Sequence, residues 1–383
     1  MGTLNKVTVS SIYVHAPFCS RRCFYCDFAV EVNSSDNLSA WTRALSGELI
    51  AVEREGVFTI SEALKTLYVG GGTPSLLGPQ AMKGLAEVIG YSRLEDPELE
   101  WTAEANPETV THDLVESWYN TGVNRMSLGV QSFDTKALTW MGRLHGPDGA
   151  VQAVNAIKEV GISNLSVDLI FGLPSRLKRC WRTDLFKVLE LDVPHISLYG
   201  LSIEPDTPLG RSVRAGSEFP VDEGQYRDEY LTAVELLRAA GYQHYEVSSF
   251  SHPGFESRHN SAYWGGSPYL GLGNSAHSYS ESYRRWNVRD WGAYNVLATG
   301  TGITWGKGEH LDIASRSLEQ LWLGLRTALG LRLKDLDDPQ RVIVESWAQE
   351  GWSVLEDGRV HLTAEGWLLL DRLTLELDGA PAG

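Results

Sequence analysis

Cys19, Cys23 and Cys26 stand within eight residues of one another, in the run Tyr13-Val-His-Ala-Pro-Phe-Cys19-Ser-Arg-Arg-Cys23-Phe-Tyr-Cys26. Three thiolates at C-x3-C-x2-C spacing can wrap three corners of a cube, and cysteine ligation is the usual way to hold a [4Fe–4S] cluster. Three ligands leave the fourth iron open, and an open metal position is where a substrate can bind. The alternative is a structural zinc ion, which takes four ligands, with Asp27 or His15 completing the set. Cys180 stands alone in a helical stretch and reads as a small core residue. Crowded rather than dispersed cysteines favour metal chemistry in a reducing compartment over a disulfide framework.

More residues able to do chemistry recur at intervals after this cluster. They are Gly70-Gly71-Gly72-Thr73-Pro74, Glu104 in Glu-Ala-Asn-Pro, Gln131, Arg143, and Asp168 in Asp-Leu-Ile-Phe-Gly-Leu-Pro. Most close or follow a short β-branched or aromatic run. The strand candidates cover 11–16, 64–69, 99–104, 124–130, 165–171 and 195–200, and helical periodicity fills 38–54, 79–89, 111–120, 149–160, 180–191 and 221–240. Thr111 stands where an N-cap belongs, and Gly122, Gly161 and Gly241 where left-handed caps belong. Six strand–helix units in series imply an α/β fold with parallel strands and right-handed crossovers, either an open doubly wound sheet or a barrel. In a barrel, residues at strand C-termini converge on one face.

The alternation fails after Gly241. Residues 242–300 are rich in Gly, Ser, Tyr and Trp, with one further strand candidate at 242–250, and 300–308 reads as a boundary. Two units are therefore expected, 1–300 and 301–383. The second has amphipathic helices at 315–329 and 339–350, a hairpin at 352–362 turning at Asp357-Gly358, and a last helix from Thr363. That order resembles a winged-helix module, although a small lid or packing unit has the same pattern. Forty-nine acids against 33 bases give a net charge of −16, which argues against nucleic acid or an anionic membrane as partner. No run reaches the ~20 apolar residues of a membrane span. The amino-terminal segment has no apolar core of signal length, and Lys6 stands where a myristoylation signal takes Ser or Thr. A soluble cytoplasmic chain is expected, peripheral to a membrane at most.

From about residue 10 to 290 the chain resembles the radical S-adenosylmethionine (SAM) superfamily, whose signature is the C-x3-C-x2-C spacing. The resemblance implies a partial (β/α)6-type barrel in which SAM chelates the open iron through its amino and carboxylate groups. Electron transfer from the cluster then yields methionine and a deoxyadenosyl radical. It also implies a SAM-binding set of Tyr13, Gly71, Gly72, Thr73, Glu104, Gln131, Arg143 and Asp168, with Glu104 accepting from the ribose hydroxyls and Tyr25 near the adenine.

The runs YVHAPFCSRRCFYCDF, GGGTPS, EANPE, GVQSF and DLIFGLP further resemble the coproporphyrinogen-oxidase-like branch. That branch holds oxygen-independent coproporphyrinogen III oxidases, which convert two propionates to vinyls, and HemW-type haem chaperones. Three features point to the chaperones. Phe28 occupies the place of the oxidase's additional cysteine, only 18 residues precede Cys19, and His259-Asn260-Ser261-Ala262-Tyr263-Trp264 matches the chaperones' HNxxYW pattern. An imidazole can ligate haem iron while aromatic rings stack on the porphyrin, which makes His259 the haem candidate. Arg258, Arg284 and Arg285 lie nearby in sequence for propionates or for solvent. Asn274 replaces a cysteine expected in many relatives, leaving His259 or His277 as the ligand. The resemblance implies a [4Fe–4S] cluster, SAM and haem as cargo, with respiratory haemoproteins as acceptors and SAM cleavage or a regulatory SAM site both open.

Overall fold

A computed structural model of the chain describes residues 6–32, 37–306 and 308–379. Residues 1–5, part of the segment read for a leader, and residue 307, inside the boundary expected at 300–308, lie outside the described residues. Six parallel strands follow one another in space as in sequence: β1 (Ser11–Ala16), β2 (Thr66–Gly71), β3 (Glu100–Ala105), β4 (Arg125–Gln131), β5 (Asn164–Phe171) and β6 (His195–Gly200). Helices α1 (Asn37–Glu55), α2 (Ala81–Ile89), α3 (His112–Thr121), α4 (Pro147–Val160) and α5 (Trp181–Glu190) connect them, and α6 (Glu223–Ala239) follows β6. Thr111 caps α3 by accepting from the Leu114 N–H, and Gly122 and Gly161 close α3 and α4 with positive φ.

Residues 242–250 do not form one strand. They fold into the hairpin β7 (Gln243–Glu246) and β8 (Ser249–Ser251), turned at Val247 and Ser248, with β8 antiparallel to β6. On the opposite flank, β9 (Leu270–Leu272) adds parallel to β1. The order β7-β8-β6-β5-β4-β3-β2-β1-β9 does not close on itself and its six central strands never reverse. It is thus an open partial barrel, not a sheet wound both ways from a switch point.

Alternate residues of each strand point to opposite faces. One set, including Ile12, Val14, Leu67, Trp101, Met126, Leu128, Val167 and Ile196, joins the helices in a single apolar cluster. The other set turns inward and includes Tyr13, Tyr68, Glu104, Arg125, Ser127, Ser166, Asp168, His195 and Ser197. The interior is therefore polar, unlike the layers of branched apolar side chains that fill a complete eight-stranded barrel.

Beyond the sheet lie α7 (Arg258–Trp264), the hairpin β10 (His277–Ser280) and β11 (Tyr283–Trp286), and α8 (Trp291–Gly300). The stretch after Gly300 stays with this first unit: Trp305 bridges to Asn287, and β12 (Glu309–His310) pairs with β11. A second core begins only in α9 (Ile313–Arg326), where Leu325 joins Val344 and Trp347 of α10 (Asp338–Gln349). The hairpin β13 (Ser353–Glu356) to β14 (Arg359–Leu362) and α11 (Leu370–Asp378) complete that core. Asp357 and Gly358 make the expected turn, with φ of 50° and 71°. The two units meet along β7, where Val247 and Tyr245 exchange backbone hydrogen bonds with Arg326 and Ala328 at 3.1 and 2.9 Å.

Candidate functional site

The loops beyond β1 to β6 surround a cavity of about 500 Å³ at the C-terminal end of the barrel. Cys19, Cys23 and Cys26 line it from the loop after β1, Gly71, Gly72 and Thr73 from the loop after β2, and Glu104, Gln131, Arg143 and Asp168 from the next three units. Tyr25 lines it too, where its ring packs on the small apolar cluster of Leu138, Met141 and Leu173.

Each thiol has a polar neighbour. The Thr73 hydroxyl lies 3.4 Å from Cys19 Sγ, the Phe28 N–H donates to Cys26 Sγ at 3.4 Å, and Arg143 Nη1 donates to Cys23 Sγ at 3.7 Å. Burial pushes the Cys19 thiol up to about 11, against the pull of the Thr73 hydroxyl. Metal ligation displaces such thiol protons. The zinc alternative finds no fourth ligand. His15 has both ring nitrogens bonded, to the Tyr13 hydroxyl at 3.1 Å and the Ala29 carbonyl at 2.9 Å, and Arg289 holds the Asp27 carboxylate at 2.9 Å. Among the described residues, no three Cys, His, Asp or Glu side chains converge on one ion. A cubane does not need that convergence, because each thiolate takes its own iron.

The glycine loop is dictated by crowding. Gly71 has φ +112°, and a Cβ there would lie 2.4 Å from the His15 ring. Its N–H instead donates to Glu104 Oε2 at 3.0 Å, while the Tyr68 hydroxyl donates to Oε1 at 2.7 Å. Gly71→Ala is expected to destabilise the fold by at least about 1–3 kcal/mol, the range for forced backbone strain, read as a lowered melting temperature. Burial drives the Glu104 carboxyl up to about 7 against the Tyr68 hydrogen bond. Burial likewise raises Asp168, whose oxygens accept from the Ser127 hydroxyl at 3.1 and 3.2 Å.

Two observations mark the cavity as built for a polar guest. Gln131 sits at φ 69°, a backbone conformation rare outside glycine, beside an irregularity between β4 and β5. Its buried Oε1 has no hydrogen-bond partner, and neither has Arg143 Nε. Buried polar atoms are normally satisfied, and both of these belong to side chains that line the cavity, where a polar ligand would satisfy them. Arg143 Nη2 donates at 2.6 Å each to Asn106 Oδ1 and the Gly129 carbonyl, and Nη1 faces Cys23. An amino acid with a nucleoside attached fits this donor set, with carboxylates placed for hydroxyl or ammonium donors and a guanidinium for a carboxylate.

The structure places two sequence candidates elsewhere. The Tyr13 ring stacks on Tyr68 at 6.1 Å behind Glu104, away from the cavity lining. His259 lies at the barrel's opposite end, fully buried, where the N–H groups of Arg258 and His259 donate to Glu100 at 2.9 Å. Its Nδ1 is 2.8 Å from the Thr66 hydroxyl and its Nε2 is 2.7 Å from the Tyr263 hydroxyl, so neither nitrogen is free for iron in this conformation. Burial lowers its pKa to about 3. The expected cations are also engaged: Arg284 with Glu319, Arg285 with Glu55, and Arg258 with the Glu98 carbonyl. His277 is exposed and stacks on Trp286 at 5.7 Å, while Asn274 is buried and donates to the Arg289 carbonyl at 2.9 Å. Cys180 corrects another expectation, being an exposed N-cap of α5 rather than a core residue. Sequence reasoning gave no role to Asn106, Ser127 and Tyr68; the Asn-Pro after β3 was the visible signal for Asn106, whose Nδ2 donates to Thr73 at 3.0 Å.

Residues 13–188 match the family model of the radical SAM superfamily. The chain is 32% identical to "Heme chaperone HemW" of Lactococcus lactis over 94% of its own length and 95% of that protein. It is 37% identical to the protein of the same name in Escherichia coli K12, over 71% and 70% of the two chains. Coproporphyrinogen III oxidase (HemN) of Escherichia coli superposes with a TM-score of 0.79, covering 98% of this chain and 91% of that one at 20% identity, which establishes the shared fold. With 32% identity over nearly the whole length of a curated relative and the superfamily's barrel around a three-cysteine cavity, the chain belongs to the HemW family of the radical SAM superfamily.

Proposed function

We propose that this chain is a haem chaperone: it binds haem, carries a [4Fe–4S] cluster and SAM, and hands haem to haemoproteins, those of respiration among them. The observation that carries the reading is full-length similarity to relatives described as haem chaperones. The fold cannot choose between chaperone and oxidase, since both share it. Cys19, Cys23 and Cys26 would hold the cluster, and together with SAM it supplies one-electron cleavage chemistry when bound. The chain's own residues orient the nucleoside: Glu104 receives the ribose, Gln131 and Arg143 offer their unpartnered atoms, and Asp168 stands on the facing strand. No described helix is long and apolar enough to cross a membrane, and delivery of haem at a membrane surface would be peripheral.

A ligand role for His259 would require α7 to withdraw from the barrel, freeing Nδ1 from Thr66, or the Tyr263 hydroxyl on the same helix to swing away from Nε2. His259→Ala is expected to lose about 1–3 kcal/mol of stability because two buried hydroxyls lose their partner, so its haem binding is compared with wild type at equal folded fraction. The deciding assay is anaerobic, with cluster-replete protein, SAM, a low-potential reductant and coproporphyrinogen III, beside a haem titration followed in the Soret band. Saturable haem binding without protoporphyrinogen supports the chaperone; protoporphyrinogen over many turnovers overturns it.

A further inference from the structure

We propose that Arg125, buried inside the barrel below the cavity, is a positioning residue for SAM that acts on Glu104 across the interior without touching the ligand. Arg125 is 2% exposed, and its strand neighbour Ser127 is the register partner of Glu104. Arg125 itself pairs with Thr102, which pairs with Tyr68, the residue that donates to Glu104. Arg125 therefore sits one row beneath Glu104 and two rows beneath Asp168 on the inward face of the sheet.

Part of its side chain is unmatched. Nε has no hydrogen-bond partner, the adjacent Thr102 hydroxyl has none either, and among the described residues no carboxylate comes within ion-pair distance of it. A buried charge without a partner is strongly unfavourable. Other buried arginines are neutralised by contact, as Arg179 is by Glu229 at 2.7 Å. Arg143 is committed at the rim to Asn106 and a carbonyl. Arg125 instead spends its field on the interior, where it favours the ionised forms of Glu104 and Asp168 and the neutral forms of His195 and His259.

That field has a consequence at Glu104. The groups facing this carboxyl are Tyr68 and the Gly71 N–H in contact, with Asp168, Tyr13, Tyr199 and Arg125 at longer range. Burial and Asp168 push it toward the neutral acid, while Tyr68, Gly71 and Arg125 pull the other way. A ribose edge presents two hydroxyl donors. Both can be accepted alongside Tyr68 and Gly71 only by a carboxylate, which has about four acceptor sites and no proton.

This rests on Glu104 being the ribose acceptor, so the experiment separates the two. SAM affinity is measured by equilibrium dialysis with cluster-replete protein from pH 5.5 to 9, with iron content and circular dichroism recorded for every sample. Wild-type affinity should rise with pH about a midpoint near 7 and level off above about 8. Arg125→Met should move that midpoint up by about one unit, so affinity falls about fivefold at pH 7 and converges with wild type by pH 9. Arg125→Lys should restore the midpoint, also serving if the methionine variant does not fold. Glu104→Gln should be weak and flat across the range. A flat wild-type profile, or a loss in Arg125→Met that is equal at every pH, overturns the role of Arg125. A Glu104→Gln profile with the wild-type midpoint instead overturns Glu104 as ribose acceptor.

Discussion

Alanine at any one of Cys19, Cys23 or Cys26 is expected to leave the chain nearly free of iron and sulfide after anaerobic reconstitution. A cubane held by three thiolates has no spare protein ligand. The side chains nearest to filling a vacancy are already committed: His15 to Tyr13 and Ala29, and Asp27 to Arg289. Loss of one corner thus exposes two irons instead of one, and a cluster so exposed is readily lost. Iron, acid-labile sulfide and the visible charge-transfer absorption should fall together, and SAM affinity with them. Cys180→Ala is the control, because that thiol lies exposed on the N-cap of α5 and does not line the cavity. Retention of a full cluster by any of the three alanine variants would show that the cysteine triad is not its anchor.

The largest effect on stability is expected at Glu48, which is remote from the cavity. Its carboxylate is 1% exposed on α1 and accepts from four donors: the Gly273 N–H at 2.9 Å, Asn287 Nδ2 at 2.5 Å, the Tyr294 hydroxyl at 2.5 Å and the Thr304 hydroxyl at 3.1 Å. These donors come from the β9 loop, the segment after β11, α8 and the stretch beyond it, so one side chain gathers four separate pieces of chain. Burial raises its pKa, against the donors that favour the ionised form. Glu48→Leu removes the acceptor and strands the Gly273 N–H and the Tyr294 hydroxyl, at about 1–3 kcal/mol for each buried group left unpaired, while Asn287 Nδ2 keeps the Gly273 carbonyl and the Thr304 hydroxyl keeps Asn287 Oδ1. A loss of about 2–6 kcal/mol in urea unfolding is expected, with Glu48→Gln intermediate because its carbonyl keeps part of the network. Equal stability of Glu48→Leu and wild type would refute this.

Much of this architecture was legible because outer strand residues and helix faces repeat with simple periods. The expected strand at 64–69 became Thr66–Gly71, that at 99–104 became Glu100–Ala105, and 195–200 was unchanged. The cavity residues were legible because a parallel barrel delivers each strand end to one place, so chain order alone gathers the cysteines, Gly71, Glu104, Gln131 and Asp168. What escaped depends on long-range contact. Ser127 and Tyr68 look like ordinary strand residues until the register sets them beside Asp168 and Glu104. His259 in its aromatic setting reads as a haem candidate, and the sequence alone does not show that Glu100 and Thr66, some 160 and 193 positions away, hold it in the barrel. Cys180 lay in a helical pattern, yet nothing local distinguished a core cysteine from a cap.

The backbone bonds that β7 makes with residues 326 and 328 have a consequence for dividing the chain. β7 is the last strand on its side of the sheet, and an uncovered strand edge is a template for another chain. Arg326 adds to the cover: it lies 4.0 Å above the Trp264 ring and pairs with Glu246 at 3.0 Å. The C-terminal unit is in this sense a guard against self-association. A barrel cut free before α9 would present bare amide and carbonyl groups along β7 and an unstacked indole beside them, a surface prepared for aggregation.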